Sequence, residues 1–230
     1  MSGAAAAPVI CIDGPSGSGK GTISRLLAER LGWQLLDSGA LYRLTALAAL
    51  DAGVALEDAE AVAACARRMR VNFMPGGEGQ VTVFLDGHDV TARLREQATG
   101  EAASRVAALV PVRRGLLQRQ WDFRRPPGLV ADGRDMGTTV FPDAPLKIFL
   151  TANAEERARR RHKQLMEMGL SANLHKLASE IRDRDRRDAT RAASPLRPAD
   201  DAVELDSTGV PVDQVLEAVL QQARRRGLAE

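Results

Sequence analysis

An apolar run, Val9-Ile10-Cys11-Ile12, leads through Asp13 into Gly14-Pro15-Ser16-Gly17-Ser18-Gly19-Lys20-Gly21-Thr22. No other stretch restricts the fold so tightly. Glycines at three positions let the backbone curl with its N–H groups turned inward, as a polyphosphate cradle requires, and a following helix adds the positive end of its dipole. Lys20 supplies a point charge for the outer phosphates. Gly14 to Lys20 fits the first seven positions of G-x-x-x-x-G-K-[ST], whereas Gly21 stands in the hydroxyl position and Thr22 follows one residue later. The motif needs a strand before it and a helix after it. Both are here, so a phosphate-binding loop is expected rather than a glycine-rich turn that binds nothing.

The rest of the chain repeats the strand-then-helix form. Ile23, Leu26, Leu27 and Leu31 recur at helical spacing before Gly32, and Trp33 to Leu36 reads as a second strand ending in Asp37-Ser38-Gly39. Leu41 to Leu50 is again helical. Further strands are expected at Gly128–Gly133, Leu146–Leu150 and Ala202–Asp206, with helices over roughly Gly100–Phe123, Ala154–Met168, Leu174–Arg191 and Val212–Arg226. The alternation predicts an α/β fold, a five-stranded parallel sheet with helices on both faces. Ligands of such sheets collect at the carboxyl ends of the strands, where Asp13, Asp37, Asp132 and Asp206 all fall. One region breaks the rhythm. Arg70–Met74 and Gln80–Leu85 alternate around Pro75-Gly76-Gly77, and Asp86-Gly87 turns the chain again before His88-Asp89-Val90, which predicts a small antiparallel meander in an insertion from about Glu57 to Gln97.

Composition narrows the partners. The 230 residues, 44% of them hydrophobic, suit one large domain or a core with insertions. A net charge of +2 is too small to suggest a general binder of nucleic acid or membranes, and a GC-rich genome accounts for 28 Arg against four Lys. Cys11 and Cys65 show neither a disulfide framework nor a C-x-x-C pair, as in a reducing cytoplasm. Met1 to Pro8 has no leader-like pattern, and no apolar run approaches membrane-spanning length. A cytoplasmic monomer is expected.

Several residues could carry chemistry at the strand ends. Asp132 closes an apolar strand, where a phosphate-loop protein places the carboxylate that holds Mg²⁺ directly or through its waters; Thr22 is the other candidate ligand. Arg134 and Asp135 follow at the same edge, and Arg134 could clamp a phosphate bidentately. Arg157, Arg160 and Arg161 share one helix face, either as a solvated basic surface beside Glu155, Glu156 and Glu167 or as a cluster that closes over a transferred group. In the charge run Arg182 to Asp188 most residues read as a salt-bridged surface, but Arg184, Asp188 and Arg191 fall on one stripe. His88, His162 and His175 share no motif with a nucleophile or a metal ligand, so the expected ion is Mg²⁺ brought in with a nucleotide.

Four segments together, Ile12–Thr22, Leu36-Asp37-Ser38-Gly39-Ala40-Leu41-Tyr42-Arg43, Ala131-Asp132-Gly133-Arg134-Asp135-Met136-Gly137-Thr138 and Leu205-Asp206-Ser207-Thr208, resemble the bacterial cytidylate kinases over nearly the whole chain. The GKGT ending is shared with other nucleoside monophosphate kinases, whereas Asp-Ser-Gly-x-x-Tyr-Arg with Asp-Gly-Arg-Asp-Met-Gly-Thr is specific to that family. The resemblance implies a single phosphate-loop kinase: residues 8–38, 128–152 and 170–230 as core, 39–127 as the monophosphate-binding region around the insertion at about 57–97, and 153–169 as a short lid. It further implies that Gly14, Pro15, Ser16, Gly17, Ser18, Gly19, Lys20, Gly21 and Thr22 hold ATP, and that Arg157, Arg160 and Arg161 form the lid. Ser38, Arg43 and Arg134 would serve the acceptor phosphate, Ser104, Arg113 and Asp135 the base, and Arg184 and Asp188 the sugar, with Arg191 reaching toward phosphate and Tyr42 also among the CMP-binding residues.

The expected activity is transfer of the γ-phosphoryl of ATP to CMP or dCMP, with Lys20, Asp132, Arg134 and the lid arginines as the catalytic set. Lys20 is expected to be exposed to ligand. A phosphate-loop kinase for another monophosphate or a small metabolite is the alternative, and a metabolite alcohol would favour Asp37 as a base. A GTP-driven switch would need an Asn-Lys-x-Asp motif, and no Asn-Lys pair occurs in the chain.

Overall fold

Strand β1 (Val9–Asp13) is buried at every position, as a strand flanked by parallel neighbours and covered on both faces must be. In a computed structural model describing residues 6–75, 81–167, 169 and 171–230, it is the middle strand of five. Met168, the expected last residue of one helix, and the turn expected at Gly76-Gly77 lie outside the described residues. The chain divides into two compact units, one running up to Asp37 and resuming over Asp122–Glu230, the other spanning Ser38–Trp121.

The first unit holds the parallel sheet. Its strands β2 (Gln34–Asp37), β6 (Leu129–Gly133), β7 (Leu146–Thr151) and β8 (Val203–Asp206) combine with β1 in the order β2-β6-β1-β7-β8. Side chains alternate across the pleat. Ile10, Ile12, Val130, Leu146, Ile148 and Leu150 meet Ile23, Leu27 and Ala28 of helix α1 (Lys20–Leu31) and Val215, Val219, Leu220 and Ala223 of helix α9 (Val212–Arg225). Each large aliphatic chain so buried contributes about 1.5–3 kcal/mol relative to exposure. Cys11 and Lys147 are cross-strand partners in the alternate set. A π-helical turn, Met136–Val140, packs on β1 and β6, with Gly137 against the stem of Lys147. The buried Lys147 ammonium donates to Pro142 O at 2.8 Å and Asp201 Oδ1 at 2.9 Å, which offsets its desolvation. Helices α7 (Ala154–Glu167) and α8 (Leu174–Thr190) pack together through Ala158, Leu177 and Ala178.

The second unit surrounds helix α2 (Ser38–Asp51), which packs against α3 (Ala59–Arg68) and α5 (Gln97–Val106), while α3 packs on α6 (Val110–Trp121). Leu44, Leu47, Val62, Ala66, Val106, Val112 and Leu116 are buried there. Strands β3 (Val71–Pro75), β4 (Val81–Leu85) and β5 (His88–Asp89) form the antiparallel meander, followed by the short helix α4 (Thr91–Arg95). The single helix expected over Gly100–Phe123 is instead α5 and α6. Pro111 has no N–H to donate toward the carbonyl of Ala107, and its ring would collide there, so the helix restarts at Val110. Likewise α8 stops at Thr190, and Arg191 is an extended C-cap residue rather than the last member of a helical stripe.

Candidate active site

The phosphate loop is seated on the sheet at its first residue. Gly14 has φ 151°, and its backbone lies so close to the carbonyl of Leu150 in β7 that no Cβ could fit. Beyond it the loop carbonyls are tied to side chains. Lys20 Nζ donates to Pro15 O at 3.1 Å, Arg157 Nη1 to Ser16 O at 3.1 Å, and both Ser207 Oγ and Arg160 Nη1 to Ser18 O, at 2.9 and 3.2 Å. Gly19, the N-cap of α1, makes no side-chain cap bond to the first turn, whose N–H groups are the ones a phosphate would use.

Lys20 is 8% exposed to solvent, and its bond to Pro15 O folds it into the loop. Asp132 is equally buried at the end of β6, and its Oδ1 has no hydrogen-bond partner. Burial lowers the Lys20 pKa, the Arg134 guanidinium pushes the same way, and Asp132 opposes both. Burial raises the Asp132 pKa against the pull of Lys20. A Cβ on Gly21 would stand 3.2 Å from Asp132 Oδ2, so the glycine in place of the usual hydroxyl leaves room for this carboxylate. Thr22 is exposed. A buried carboxylate with an unmet oxygen suits a hard cation that keeps its waters. Among the described residues no group of three or more acidic, His or Cys side chains could hold a metal without a substrate's help.

Beside the loop, Arg134 Nε donates to Asp188 Oδ2 at 3.2 Å, and Arg134 Nη1 to Gly133 O at 3.2 Å. Asp135, 2% exposed, lies 3.8 Å from Arg191 Nη2. Arg184 is half-buried on α8, and its neighbours Arg182, Asp183, Arg186 and Arg187 are exposed. Asp188 and Arg191 are therefore brought to the Arg134-Asp135 segment. On α7, Arg157 is 4% exposed and fully engaged: Nε donates to Ala152 O at 2.8 Å, and Nη1 and Nη2 grip Asp185 at 3.0 and 2.5 Å. Arg160 also donates to Ser207 O at 2.6 Å and to Glu156 at 3.0 Å. Arg161 is half-buried.

Within the second unit, Arg113 stacks over the Tyr42 ring at 5.7 Å and donates to Ala107 O at 3.1 Å. Arg43 donates to Leu94 O at 2.8 Å and Glu96 O at 3.3 Å. Ser38 is buried at the start of α2, and Ser104 Oγ is buried without a hydrogen-bond partner.

The profile of the cytidylate kinase family matches residues 10–225, almost the whole chain. The chain belongs to the cytidylate kinase family. It is 57% identical over 223 residues to the cytidylate kinase of Stutzerimonas stutzeri, covering 96% of this chain and 97% of that one. The cytidylate kinases of Azotobacter vinelandii and Pseudomonas aeruginosa are each 56% identical, again over 96% of this chain and 97% of theirs. Membership in the cytidylate kinase family carries ATP-dependent phosphoryl transfer with it.

Three residues of this cytidylate kinase family chain show their contacts only in the folded arrangement. Asp185 sits in a charge run that reads as solvated, yet it grips Arg157 from 28 positions away. Ser207, inside the quoted Asp-Ser-Thr segment, braces Ser18 O and accepts from Arg160. Asp13 accepts from Met136 N and Gly137 N at 2.9 and 2.8 Å. Only Asp13 left a sequence signal, as an acid at a strand end beside the loop.

Proposed function

We propose that the chain transfers the γ-phosphoryl group of ATP to CMP, and also to dCMP, giving ADP with CDP or dCDP. An oxygen of the acceptor phosphate, already ionised at neutral pH, attacks the γ-phosphorus in line while the bond to the β,γ-bridging oxygen breaks and ADP leaves. No covalent intermediate and no general base are needed. The protein's work is positioning, charge neutralisation and exclusion of water. The observation that carries this reading is the phosphate loop with buried Lys20 standing on the same strand ends as the Arg134–Asp188 and Asp135–Arg191 pairs.

In this reading Gly14 to Thr22 hold ATP and Lys20 neutralises its outer phosphates. Asp132 and Thr22 would hold Mg²⁺ directly or through its waters, and the ion would supply positive charge against the charge of the transferred phosphoryl group. Arg134, with Ser38 and Arg43, binds the acceptor phosphate, for which Arg43 would exchange its carbonyl partners, and Tyr42 lies among the CMP-binding residues. Arg184 and Asp188 meet the sugar, and Arg191 reaches toward phosphate. Arg157, Arg160 and Arg161 serve as the lid, Arg157 by tying α7 to the loop at Ser16.

Base choice follows from the pyrimidine edge. Asp135 can accept from the cytosine amino group but would oppose the uracil carbonyl, while Ser104 and Arg113 can donate to N3 and O2. A buried polar group left unpaired costs about 1–3 kcal/mol, so UMP is disfavoured roughly tenfold or more. Coupled ADP detection over CMP, dCMP, UMP, purine monophosphates and small alcohols tests this directly. Turnover with CMP and dCMP well above the rest is expected; a preferred purine or alcohol would assign the chain another acceptor. The enzyme is further proposed to act as a cytoplasmic monomer on free nucleotides rather than on nucleic acid or a membrane. The net charge of +2 supports that, and sedimentation equilibrium tests the oligomeric state. No helix among the described residues is long and apolar enough to cross a membrane.

A further inference from the structure

Asp13 has no part in the chemistry above, yet the fold keeps its carboxylate 5% exposed, an expensive place for a charge unless it is fully hydrogen-bonded. Its two oxygens take the two N–H groups that directly follow Asp135: Oδ1 accepts from Met136 N at 2.9 Å and Oδ2 from Gly137 N at 2.8 Å. Those are the opening donors of the π-helical turn, and Asp135 is its N-cap residue. An aspartate in that position ordinarily turns its own side chain onto the second or third helical N–H, here that of Gly137 or Thr138. Here it makes no cap bond, and its carboxylate stands 3.8 Å from Arg191 instead. The cap comes from a different strand, 123 residues earlier in sequence, at the residue immediately before Gly14.

We propose that Asp13 is a positioning residue for acceptor selectivity: by fixing the opening of the turn through Met136 N and taking Gly137 N, a donor that Asp135 would otherwise cap, it holds the Asp135 carboxylate out for the base. The inference rests on the reading that Asp135 meets the cytosine amino group. An asparagine at position 13 would keep the shape but set an NH₂ against one of the two N–H donors. One donor would then be open to recapture by Asp135.

The test is steady-state kinetics of the full-length enzyme with CMP and with UMP, on wild type, Asp13→Asn, Asp135→Asn and the double variant. Asp13→Asn should narrow the CMP-to-UMP ratio of kcat/KM by about tenfold, mainly through a higher KM for CMP, with the KM for ATP within about twofold of wild type. The double variant should be no less selective than Asp135→Asn alone, because both changes remove one interaction. A raised KM for ATP with the ratio intact would show that Asp13 serves the phosphate loop and would overturn the proposal, as would a loss of thermal stability with both KM values and the ratio unchanged. If Asp13→Asn does not fold, Asp13→Ser, which keeps one acceptor at the strand end, is read in the same way. Failure of the underlying reading looks different: Asp135→Asn itself would leave the ratio intact.

Discussion

Lys20 and Asp132 are both withdrawn from water, so each loses part of its preference for the charged form, and they stand close enough to interact. A polyphosphate placed beside Lys20 draws it back fully to the ammonium. Binding of ADP without metal near pH 7.5 should therefore take up protons, seen as a dependence of calorimetric heat on the ionisation enthalpy of the buffer. Lys20→Met should abolish that dependence and lower kcat by orders of magnitude; buffer-independent heats in the wild type would refute the account. Gly21 gives a second handle. The Cβ of Gly21→Ala would press on Asp132 Oδ2 at 3.2 Å. Overpacking of this kind costs about 1–3 kcal/mol. If it falls on the Asp132 side chain, kcat/KM should drop roughly ten- to a hundredfold, with an unchanged circular dichroism spectrum.

Among the elements, α7 and α8 act on the phosphate loop as a pair. Arg157 donates from all three of its guanidinium nitrogens, to Ala152 O, Ser16 O and Asp185, so the start of α7 is pinned while its exposed far end is not. Asp185→Asn should leave a buried guanidinium short of charge, lowering stability by about 1–3 kcal/mol in urea denaturation, and should raise the KM for ATP more than that for CMP. Equal changes in both would separate α8 from the loop. The strands were legible because each apolar run ends in an acid or turn residue, and Arg184 with Asp188 because i, i+4 spacing fixes a helix face. The break at Pro111 was marked by the proline itself, but the apolar periodicity on either side ran through it. Arg191 reaches Asp135 although the helical stripe that suggested it ends a residue too soon. Asp185 had no legible signal, since its meaning lies in how α7 packs on α8. The cap that Asp13 supplies needed β1 and the π-helical turn side by side.

Taken as a whole, the molecule carries buried acids at the ends of its central strands, and they set its response to pH. Burial raises Asp13 to about 6 against the lowering effect of its two backbone N–H partners, from 3.8 in the unfolded chain. Between those values the native state binds more protons than the unfolded one, so unfolding free energy falls as pH rises through the window. The loss is complete above about pH 6 and corresponds to roughly 3 kcal/mol for a shift of that size. Asp132 is raised in the same sense. Asp51, Asp143 and Asp201 are lowered by hydrogen bonds to Arg93, Arg124 and Lys147, but they are exposed and screened, and their contributions fade only in stronger acid. The nucleotide-free protein should therefore be more stable near pH 5 than at pH 7.5 in urea titrations, and Asp13→Asn should flatten the decline. Stability that rises steadily over this range would contradict the assignment.

Because β1 lies in the middle of the order β2-β6-β1-β7-β8, the ribosome makes the central strand well before either of its two neighbours, β6 and β7. The Ser38–Trp121 unit is contiguous and is complete in the nascent chain before Leu129 is added. Through that interval, on the order of ten seconds at ordinary elongation rates, Val9-Ile10-Cys11-Ile12 has emerged with no parallel strand to pair with. The phosphate loop thus takes its seat only when Leu150 arrives, and the chain's first-made motif is among the last parts of it to become functional.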